Sequence, residues 1–216
     1  MKIKSFQGGY DKNLCYVLSC ESTKLCALVD PSVEILPVIE YIENNNLVLD
    51  KILVTHTHHD HIRYLDDVVN QYPLSKVYIS ENTPFKSAIP FKGLSHNDVI
   101  MVGEYMVLAL FTPGHYIDSI CFWIKNQDML FTGDTIFVGR TGRTISSRSS
   151  ISDLYSSVYD ILLKLPPKTI IYPGHHYGFS KSISIKENIS ISDFFQCKSL
   201  NEFKIVMDNY ENNRKK

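Results

Sequence analysis

Residues 55–61 read Thr-His-Thr-His-His-Asp-His, and they directly follow the apolar run at residues 52–54. Four side chains of types that bind metal ions fall within six positions of this stretch: His56, His58, Asp60 and His61. A sharp turn after a buried strand would let His56 and His58 share one ion, while Asp60 and His61 reach a second ion beside it. Imidazole suits zinc or iron, and the carboxylate adds hard anionic character. The pattern therefore predicts a metal site with two positions, the alternative being a histidine-rich surface turn.

Three further candidate ligands each follow an apolar run and a glycine. They are His115 after residues 111–114, Asp134 after residues 130–133, and His175 after residues 170–174. A glycine permits close backbone approach, and strand ends hold functional residues firmly while the loops stay open. Taken singly, Gly-His and Gly-Asp are common solvated turns. Together with the first cluster they complete two predicted sites: His56, His58 and His115 in the first, Asp60, His61 and His175 in the second, and Asp134 bridging both.

Length and composition limit the classes of protein to which the chain can belong. Its 216 residues allow one medium domain with a substantial core, and contents of 44% hydrophobic and 21% charged residues are ordinary. A net charge of −1 and a pI near 6.7 give no argument for nucleic-acid binding. No run approaches the roughly 20 apolar residues that span a bilayer, and no signal peptide is recognised, so we expect a cytoplasmic protein. The five cysteines form no C-x-x-C pair and are expected to be small core residues.

Apolar periodicity indicates strands and helices mixed along the whole chain. Strands are predicted at residues 14–18, 25–29, 51–55, 76–79, 106–111, 119–125, 128–132 and 169–172. Helices are predicted from about residue 32 to 44 and at residues 64–71, 154–165 and 194–209. Strands and helices in both halves predict an α+β fold with layers, the helices lying outside the sheet.

The early strand at residues 13–18 and the ligand motifs that follow it resemble, in their order along the chain, those of the metallo-β-lactamase fold superfamily. The resemblance covers roughly residues 10–180. The resemblance implies a four-layer αββα sandwich with the metal site at the edge between the two sheets. Residues 1–180 would form a metallo-β-lactamase-like domain, and residues 181–216 a C-terminal extension with a closing helix, part of the same unit. Asp134 stands where some β-lactamases place a cysteine ligand, which argues against antibiotic hydrolysis.

Within the superfamily, the segments at residues 13–18, 133–143 and 173–177 look most like the glyoxalase II (hydroxyacylglutathione hydrolase) group. The resemblance implies two divalent metal ions, zinc first with iron or manganese as alternatives. It further implies that metal-bound hydroxide cleaves a thioester, such as a hydroxyacylglutathione, or a related small acyl ester. Asp60 and Asp134 would then be catalytic as well as metal-binding, while Arg143 and Tyr177 would contact the glutathione part of the substrate. Arg143 could instead pair with a surface carboxylate, and Tyr177 could serve packing alone.

Persulfide dioxygenases provide an alternative resemblance. They hold a single iron by two histidines and one aspartate, which match His56, His115 and Asp134, and their motifs are similar to residues 143–144 and 174–179. The chain would then act on glutathione persulfide, and a lactone or ester hydrolase of the same fold is a further alternative. In each case the expected partner is a small molecule, with no nucleic acid and no membrane, and the protein is a monomer or a homodimer.

Several positions depart from the glyoxalase II pattern. The usual glycines after the first cluster are replaced by the bulkier and more basic residues 62–64, which could reshape the cleft. Tyr116 replaces a usual threonine after His115, and Asp118 or Ser119 replaces a usual glycine. The chain also stops short of the C-terminal helical domain whose basic residues normally hold glutathione. These departures leave glutathione specificity open.

Overall fold

The computed structural model describes residues 1–214, which contain five α-helices and fourteen strands. The strands are β1 (Lys2–Gly8), β2 (Asn13–Ser19), β3 (Leu25–Val29), β4 (Val48–Leu53), β5 (Lys76–Ser80), β6 (Phe91–Leu94), β7 (Val99–Val102), β8 (Tyr105–Phe111), β9 (Ile120–Ile124), β10 (Met129–Gly133), β11 (Ile136–Phe137), β12 (Arg140–Thr141), β13 (Ile170–Pro173) and β14 (Ile183–Ser184). The helices are α1 (Leu36–Asn44), α2 (Leu65–Gln71), α3 (Ile151–Ser156), α4 (Ile185–Ile191) and α5 (Leu200–Arg214). One sheet has the strand order β1-β2-β3-β4-β5-β6, the other β14-β13-β10-β9-β8-β7, and β11 and β12 form a separate hairpin.

Three clusters of buried apolar side chains separate four layers. The central cluster joins the facing sides of the two sheets and includes Tyr16, Phe122 and Phe131, none more than 2% exposed. A second cluster packs α1 and α2 against the outer face of the first sheet. A third packs α3 and α5 against the outer face of the second sheet. The predicted αββα sandwich is confirmed.

Strand direction brings the loops with the candidate ligands to one edge of this sandwich. β10 and β13 run parallel, so Asp134 and His175, which follow them, leave the second sheet side by side. The first sheet delivers residues 55–61 to the same edge from the end of β4. The backbone N–H of Ile120 in β9 donates to the carbonyl of Thr55 at 2.8 Å, which joins the two sheets beside the histidine cluster.

Three predicted helices differ from the observed ones, and the first, expected from about residue 32, begins only at Leu36, with a proline in its first turn. In place of one helix over residues 154–165, α3 ends at Ser156 and is followed by a π-helical turn and a 3-10 turn. Ser157 Oγ donates to the carbonyl of Pro113 at 2.7 Å, which ties this segment to the loop before His115. The helix predicted over residues 194–209 begins later, at Leu200, because the Ser199 hydroxyl accepts from the third backbone N–H of α5 and caps it.

The sequence pattern missed several short elements, among them β1 and α4. β1 mixes two lysines and neutral polar residues with Ile3 and Phe6 without a regular alternation, and it lies at the edge of the first sheet, where only partial burial is required. α4 begins with a capping box in which the side chains of Ser184 and Glu187 each bond the other residue's backbone N–H. That serine–glutamate spacing is visible in the sequence and could have revealed the helix.

The cysteines and the helix lengths agree with expectations from composition. All five cysteines are buried, and none forms a disulfide within the described part of the chain. None of the helices in residues 1–214 combines the length and the apolar character needed to cross a membrane. The longest, α5, has 15 residues.

Candidate metal centre

The first predicted site is assembled from two loops. His56 and His58 follow β4, and His115 follows β8. The Nε2 atoms of His56 and His115 each lie 3.0 Å from His58 Nδ1, so three ring nitrogens face one point. His56 is buried, whereas His58 and His115 are half-buried. The structure thus brings together the three histidines predicted for this site.

The second predicted site lies beside the first. His61 Nε2 is 3.2 Å from His175 Nε2. Asp60 Oδ2 is 3.3 Å from His175 Nε2 and 3.7 Å from His61 Nε2. The side-chain amide of Asn13 donates to this carboxylate oxygen at 2.9 Å, which holds Asp60 toward the histidines. Asp60, His61 and His175 therefore converge, and Asn13 is a supporting residue that the ligand motifs did not mark.

Asp134 lies between the two groups. Its Oδ1 is 3.2 Å from His61 Nε2, and its Oδ2 is 3.5 Å from His115 Nε2 and 3.4 Å from His175 Nε2. The residue is 9% exposed, and Oδ1 is buried without a hydrogen bond of good geometry from any described residue. A buried carboxylate oxygen in that position is costly unless a cation satisfies it.

These residues fit a metal ion by distance and by chemistry. Zinc–nitrogen bonds of about 2.0–2.1 Å in a tetrahedral arrangement place neighbouring ligand atoms roughly 3.3 Å apart. The nitrogen–nitrogen separations of 3.0–3.2 Å in both groups are close to that spacing. Imidazole nitrogens with carboxylate oxygens form a donor set that zinc, iron and manganese all accept. The structure therefore contains groups of His and Asp side chains that could hold a metal ion, and their donors allow more than one metal.

The outward-facing ring nitrogens of three histidines are also bonded. Such bonds fix the tautomer and the ring orientation, so that Nε2 is presented to a metal ion. The three bonds are His61 Nδ1 to Asp30 Oδ2 (2.8 Å), His115 Nδ1 to the Arg143 carbonyl (2.8 Å) and His175 Nδ1 to the Asp11 carbonyl (2.9 Å).

Asp30 is a site residue that sequence reasoning missed. It follows β3, is 1% exposed and adopts a left-handed backbone conformation with φ of 52°. Its carboxylate accepts from the backbone N–H of Thr55 at 2.7 Å, from the Thr55 hydroxyl at 2.6 Å and from His61. Asp30 thereby fixes both ends of the histidine cluster. The available signal was an aspartate directly after an apolar run, a pattern that resembles that of Asp134 but lacks its preceding glycine.

Replacing Asp30 with asparagine should weaken metal binding by about 10- to 100-fold, because one carboxylate oxygen is replaced by an amide NH₂ that cannot accept from His61 or Thr55. Leaving these buried donors unpaired should also cost about 1–3 kcal/mol of unfolding free energy. Competition with a metal-sensitive dye and chemical denaturation measure the two effects. Asp128→Asn is the matched control, since that carboxylate pairs with the exposed Lys168. Equal metal affinity in the two variants would contradict the role given to Asp30.

The charges of the centre favour a cation. Burial alone would raise the pKa of Asp134, but the neighbouring His175 and His61 hold this pKa well below its usual range. Burial alone would lower the pKa of both His175 and His61. Asp134 nevertheless raises the pKa of His175 to about 9. Asp134 together with Asp30 raises the pKa of His61 well above its usual value. Burial lowers the pKa of His58 to about 4. The carboxylates thus attract positive charge on one side, while His58 is left neutral and able to donate a lone pair.

The two groups open into a cleft of about 370 Å³ whose rim includes both predicted substrate residues. The ring of Tyr177 stacks on His175 with 4.8 Å between centroids, and its hydroxyl donates to Asp11 at 2.5 Å. Arg143 also lines the cleft, but its guanidinium is bonded to Glu211 of α5. A larger depression of about 680 Å³ lies beside β5 and β6, and no histidine, cysteine or carboxylate of the described residues lines it.

The family model described as "Metallo-beta-lactamase superfamily" matches residues 8–175, which include every ligand candidate. The chain belongs to the metallo-β-lactamase superfamily. This agrees with the two facing sheets and with a His/Asp centre at their common edge.

Two similar proteins are named as hydrolases, and one solved structure superposes along nearly the whole chain. A probable hydroxyacylglutathione hydrolase, glo2 of Schizosaccharomyces pombe, is 35% identical over 88% of this chain and 76% of its own length. The probable polyketide biosynthesis zinc-dependent hydrolase BaeB of Bacillus velezensis is 28% identical over 88% of this chain and 85% of its own. The crystal structure of ETHE1 from Myxococcus xanthus superposes with a TM-score of 0.88 at 29% identity, covering 97% of this chain and 91% of that one.

The departure from the glyoxalase II pattern at residues 62–64 lies away from the cleft. Ile62 packs among the apolar residues under α1 and α2, and the hydroxyl of Tyr64 donates to Glu34 at 3.2 Å. None of these three residues lines the cleft. Ile62 therefore supports the first sheet and its helices, and since none of the three residues lines the cleft, the expectation that they could reshape it is not met.

Proposed function

We propose that this superfamily member is a two-metal hydrolase that cleaves a thioester or a related small acyl ester. One ion would be held by His56, His58 and His115, the other by Asp60, His61 and His175. The observation that carries the proposal is Asp134, whose oxygens face histidines of both groups at 3.2–3.5 Å. A carboxylate in that position suits a bridge between paired ions, which lie about 3.5–4 Å apart in two-metal hydrolases.

The chain's own residues can then position both reactants. When bound, such a pair of ions would lower the pKa of a water molecule and polarise an acyl carbonyl. Asp60, which Asn13 holds at 2.9 Å, presents its carboxylate to the cleft and can accept a hydrogen bond from the attacking water. Tyr177 and Arg143 stand at the rim, where the glyoxalase II resemblance places contacts with the thiol part of the substrate. No nucleophilic side chain is needed for this reaction.

The relatives that are named as hydrolases support this proposal. The near-neutral net charge of the chain supports a small-molecule substrate over a nucleic-acid partner. Zinc is the first candidate metal because the Bacillus velezensis relative is named as zinc-dependent. Iron and manganese remain compatible with the same donors. A small-molecule substrate, no nucleic-acid partner and a cytoplasmic monomer or homodimer complete the proposal.

A second candidate is a persulfide dioxygenase that uses one iron. It is favoured by the residues at 143–144 and 174–179 and by the likeness to ETHE1 along nearly the whole chain. His56, His115 and Asp134 would hold the iron as a two-histidine, one-carboxylate set, which leaves positions open for oxygen and a thiolate.

Metal content and a paired assay separate the two candidates. Protein purified anaerobically should contain about two ions per chain and hydrolyse S-D-lactoylglutathione, as expected for a two-metal hydrolase. Removing the metal with a chelator should abolish that hydrolysis, and adding zinc should restore it, because the ions supply the activated water. One iron per chain together with oxygen uptake that depends on glutathione persulfide would reject the hydrolase and assign the second candidate.

A further inference from the structure

The rim of the cleft carries three arginines from two parts of the chain. Arg140 lies in β12, Arg143 follows shortly after it, and Arg214 ends α5. All three line the cleft that contains the metal-binding side chains. Asp60 and Asp134 also line this cleft but belong to the candidate ligand groups, so the remaining acidic residue of the rim is Asp11, which accepts a hydrogen bond from the hydroxyl of Tyr177. The entrance therefore carries an excess of positive charge.

Arg143 is already paired within the protein. Its Nε and Nη2 atoms donate to the two carboxylate oxygens of Glu211 at 2.6 and 2.5 Å, the bidentate geometry that binds carboxylates most firmly. Its backbone carbonyl accepts from His115 at 2.8 Å. Arg143 thus fastens α5 beside the metal centre, and its charge is balanced by Glu211.

Arg140 is held by aromatic rings instead. Its guanidinium carbon lies 4.1 Å from the ring centroid of Tyr177, 5.0 Å from that of Phe137 and 5.2 Å from that of Tyr210. Aromatic faces attract a guanidinium without neutralising it, and they restrict its motion. Nη1 also donates to the hydroxyl of Tyr210. Arg140 is therefore oriented in advance while its full charge remains.

Most of the donor groups of Arg140 are unused. A guanidinium has five N–H donors, and Tyr210 is the hydrogen-bond acceptor that the structure gives it within residues 1–214. No carboxylate of those residues forms an ion pair with Arg140, in contrast to Arg143. A planar, partly dehydrated guanidinium in this state matches a carboxylate of a ligand.

The position of Arg140 relative to the metal centre fits one molecule that reaches both. His175, Tyr177 and Arg140 form a continuous stack, with 4.8 Å between the first two rings and 4.1 Å from the second ring to the guanidinium carbon. These spacings place the guanidinium within about 9 Å of the His175 ring, so a carboxylate bound there lies several bonds away from a reacting acyl group.

We propose that Arg140 is the anion-binding residue of the cleft, and that it selects substrates whose thiol part carries a carboxylate. This proposal rests on the proposed function only for the position of the reacting group. The carboxylates themselves are present in both a thioester and a persulfide of glutathione. Arg143 acts as the residue that holds α5, and Arg214 adds positive charge at the entrance.

The test compares two substrates that differ only in charge. S-D-lactoylglutathione keeps both carboxylates, and its diamide replaces them with neutral amides of similar shape. The unaltered protein should prefer the carboxylate form by at least about tenfold in kcat/KM. Arg140→Gln should lower kcat/KM for the carboxylate form by at least about tenfold, mainly through KM, and change the diamide by less than about twofold. Arg140→Lys should restore only part of the loss, since it keeps the charge but lacks the planar fork.

Binding measured without turnover keeps the proposal separate from the reaction. S-methylglutathione is a thioether that cannot be hydrolysed, and its affinity can be measured by calorimetry. Arg140→Gln should weaken it at least about tenfold, whereas Lys92→Gln, a charge removed from the exposed strand β6, should leave it unchanged.

Each outcome decides one of the two proposals. If no thioester is hydrolysed but binding still depends on Arg140, the hydrolase fails and the anion-binding role stands. If hydrolysis occurs and Arg140→Gln lowers the rates of both substrates equally, or leaves both unchanged, the role of Arg140 is overturned.

Discussion

Replacing Asp134 with alanine is expected to remove bound metal from both positions and to lower kcat/KM by about a thousandfold or more. Asp134 is the residue whose two oxygens face histidines of both groups, so its loss leaves each group one ligand short. The loss also removes the negative charge that raises the pKa of His61 and His175. Without that charge, the surroundings of both imidazoles are less negative and attract a cation less strongly. Elemental analysis of the purified variant and a steady-state assay measure the two effects.

Asp128→Ala is the control for this prediction. Asp128 directly precedes β10, at the end opposite to the one that Asp134 follows, and pairs with the largely exposed Lys168 at 2.7 Å. Its replacement should leave metal content and activity unchanged, because it touches neither group of ligands. Circular dichroism should show that both variants fold. Asp134→Ala protein that retains about two ions and full activity would refute the bridging role.

Replacing Gly174 with alanine should lower metal content and reduce kcat/KM by about 100-fold or more, because small displacements of reacting groups have large effects on rate. A Cβ atom at this position would lie 2.5 Å from Asp134 Oδ1 and 2.5 Å from His61 Cε1. Real Cβ atoms do not approach so closely, so the carboxylate or the imidazole must move. Their displacement should also cost about 1–3 kcal/mol of unfolding free energy, as overpacking of a buried site does.

Gly93→Ala is the matched control. Neither Gly174 nor Gly93 has a positive φ, so alanine meets no backbone strain at either position. At Gly93 the nearest atom to an added Cβ is the Cβ of Glu81 at 3.2 Å, on the exposed strand β6. Thermal denaturation, metal analysis and the same assay should separate the two variants. Normal metal content in Gly174→Ala would contradict this prediction, because the added methyl group would then have been accommodated without displacing Asp134 or His61 from the site.

Local pattern predicted much of this site because ligand chemistry is itself local. Imidazoles and carboxylates were marked by residue type, and their placement after apolar runs put them at strand ends. In the structure, the parallel pair β10 and β13 brings Asp134 and His175 together. The predictions were less accurate at helix boundaries, where a hydroxyl such as that of Ser199 decides the first turn.

Contacts between distant segments could not be predicted in the same way. Asp30 supports His61 from 31 positions earlier in the chain, and Glu211 reaches Arg143 across 68 positions. Neither pairing has a periodicity or a spacing that marks it in the sequence. Arg140 carries no ligand motif at all, and its orientation depends on rings from β11, α5 and the loop at Tyr177.

The sequence by itself determined which side chains are candidate donors of the centre and the order in which the chain presents them, from His56 to His175. It also indicated, by resemblance, the αββα sandwich that carries those residues. Only the tertiary structure decided that Asp30 orients His61 and that Arg143 is engaged by Glu211, while no carboxylate among residues 1–214 forms an ion pair with Arg140. The physical reason is that these arrangements depend on how two sheets and α5 pack together. Packing joins residues that are far apart in the chain, and no local pattern specifies which of them will meet.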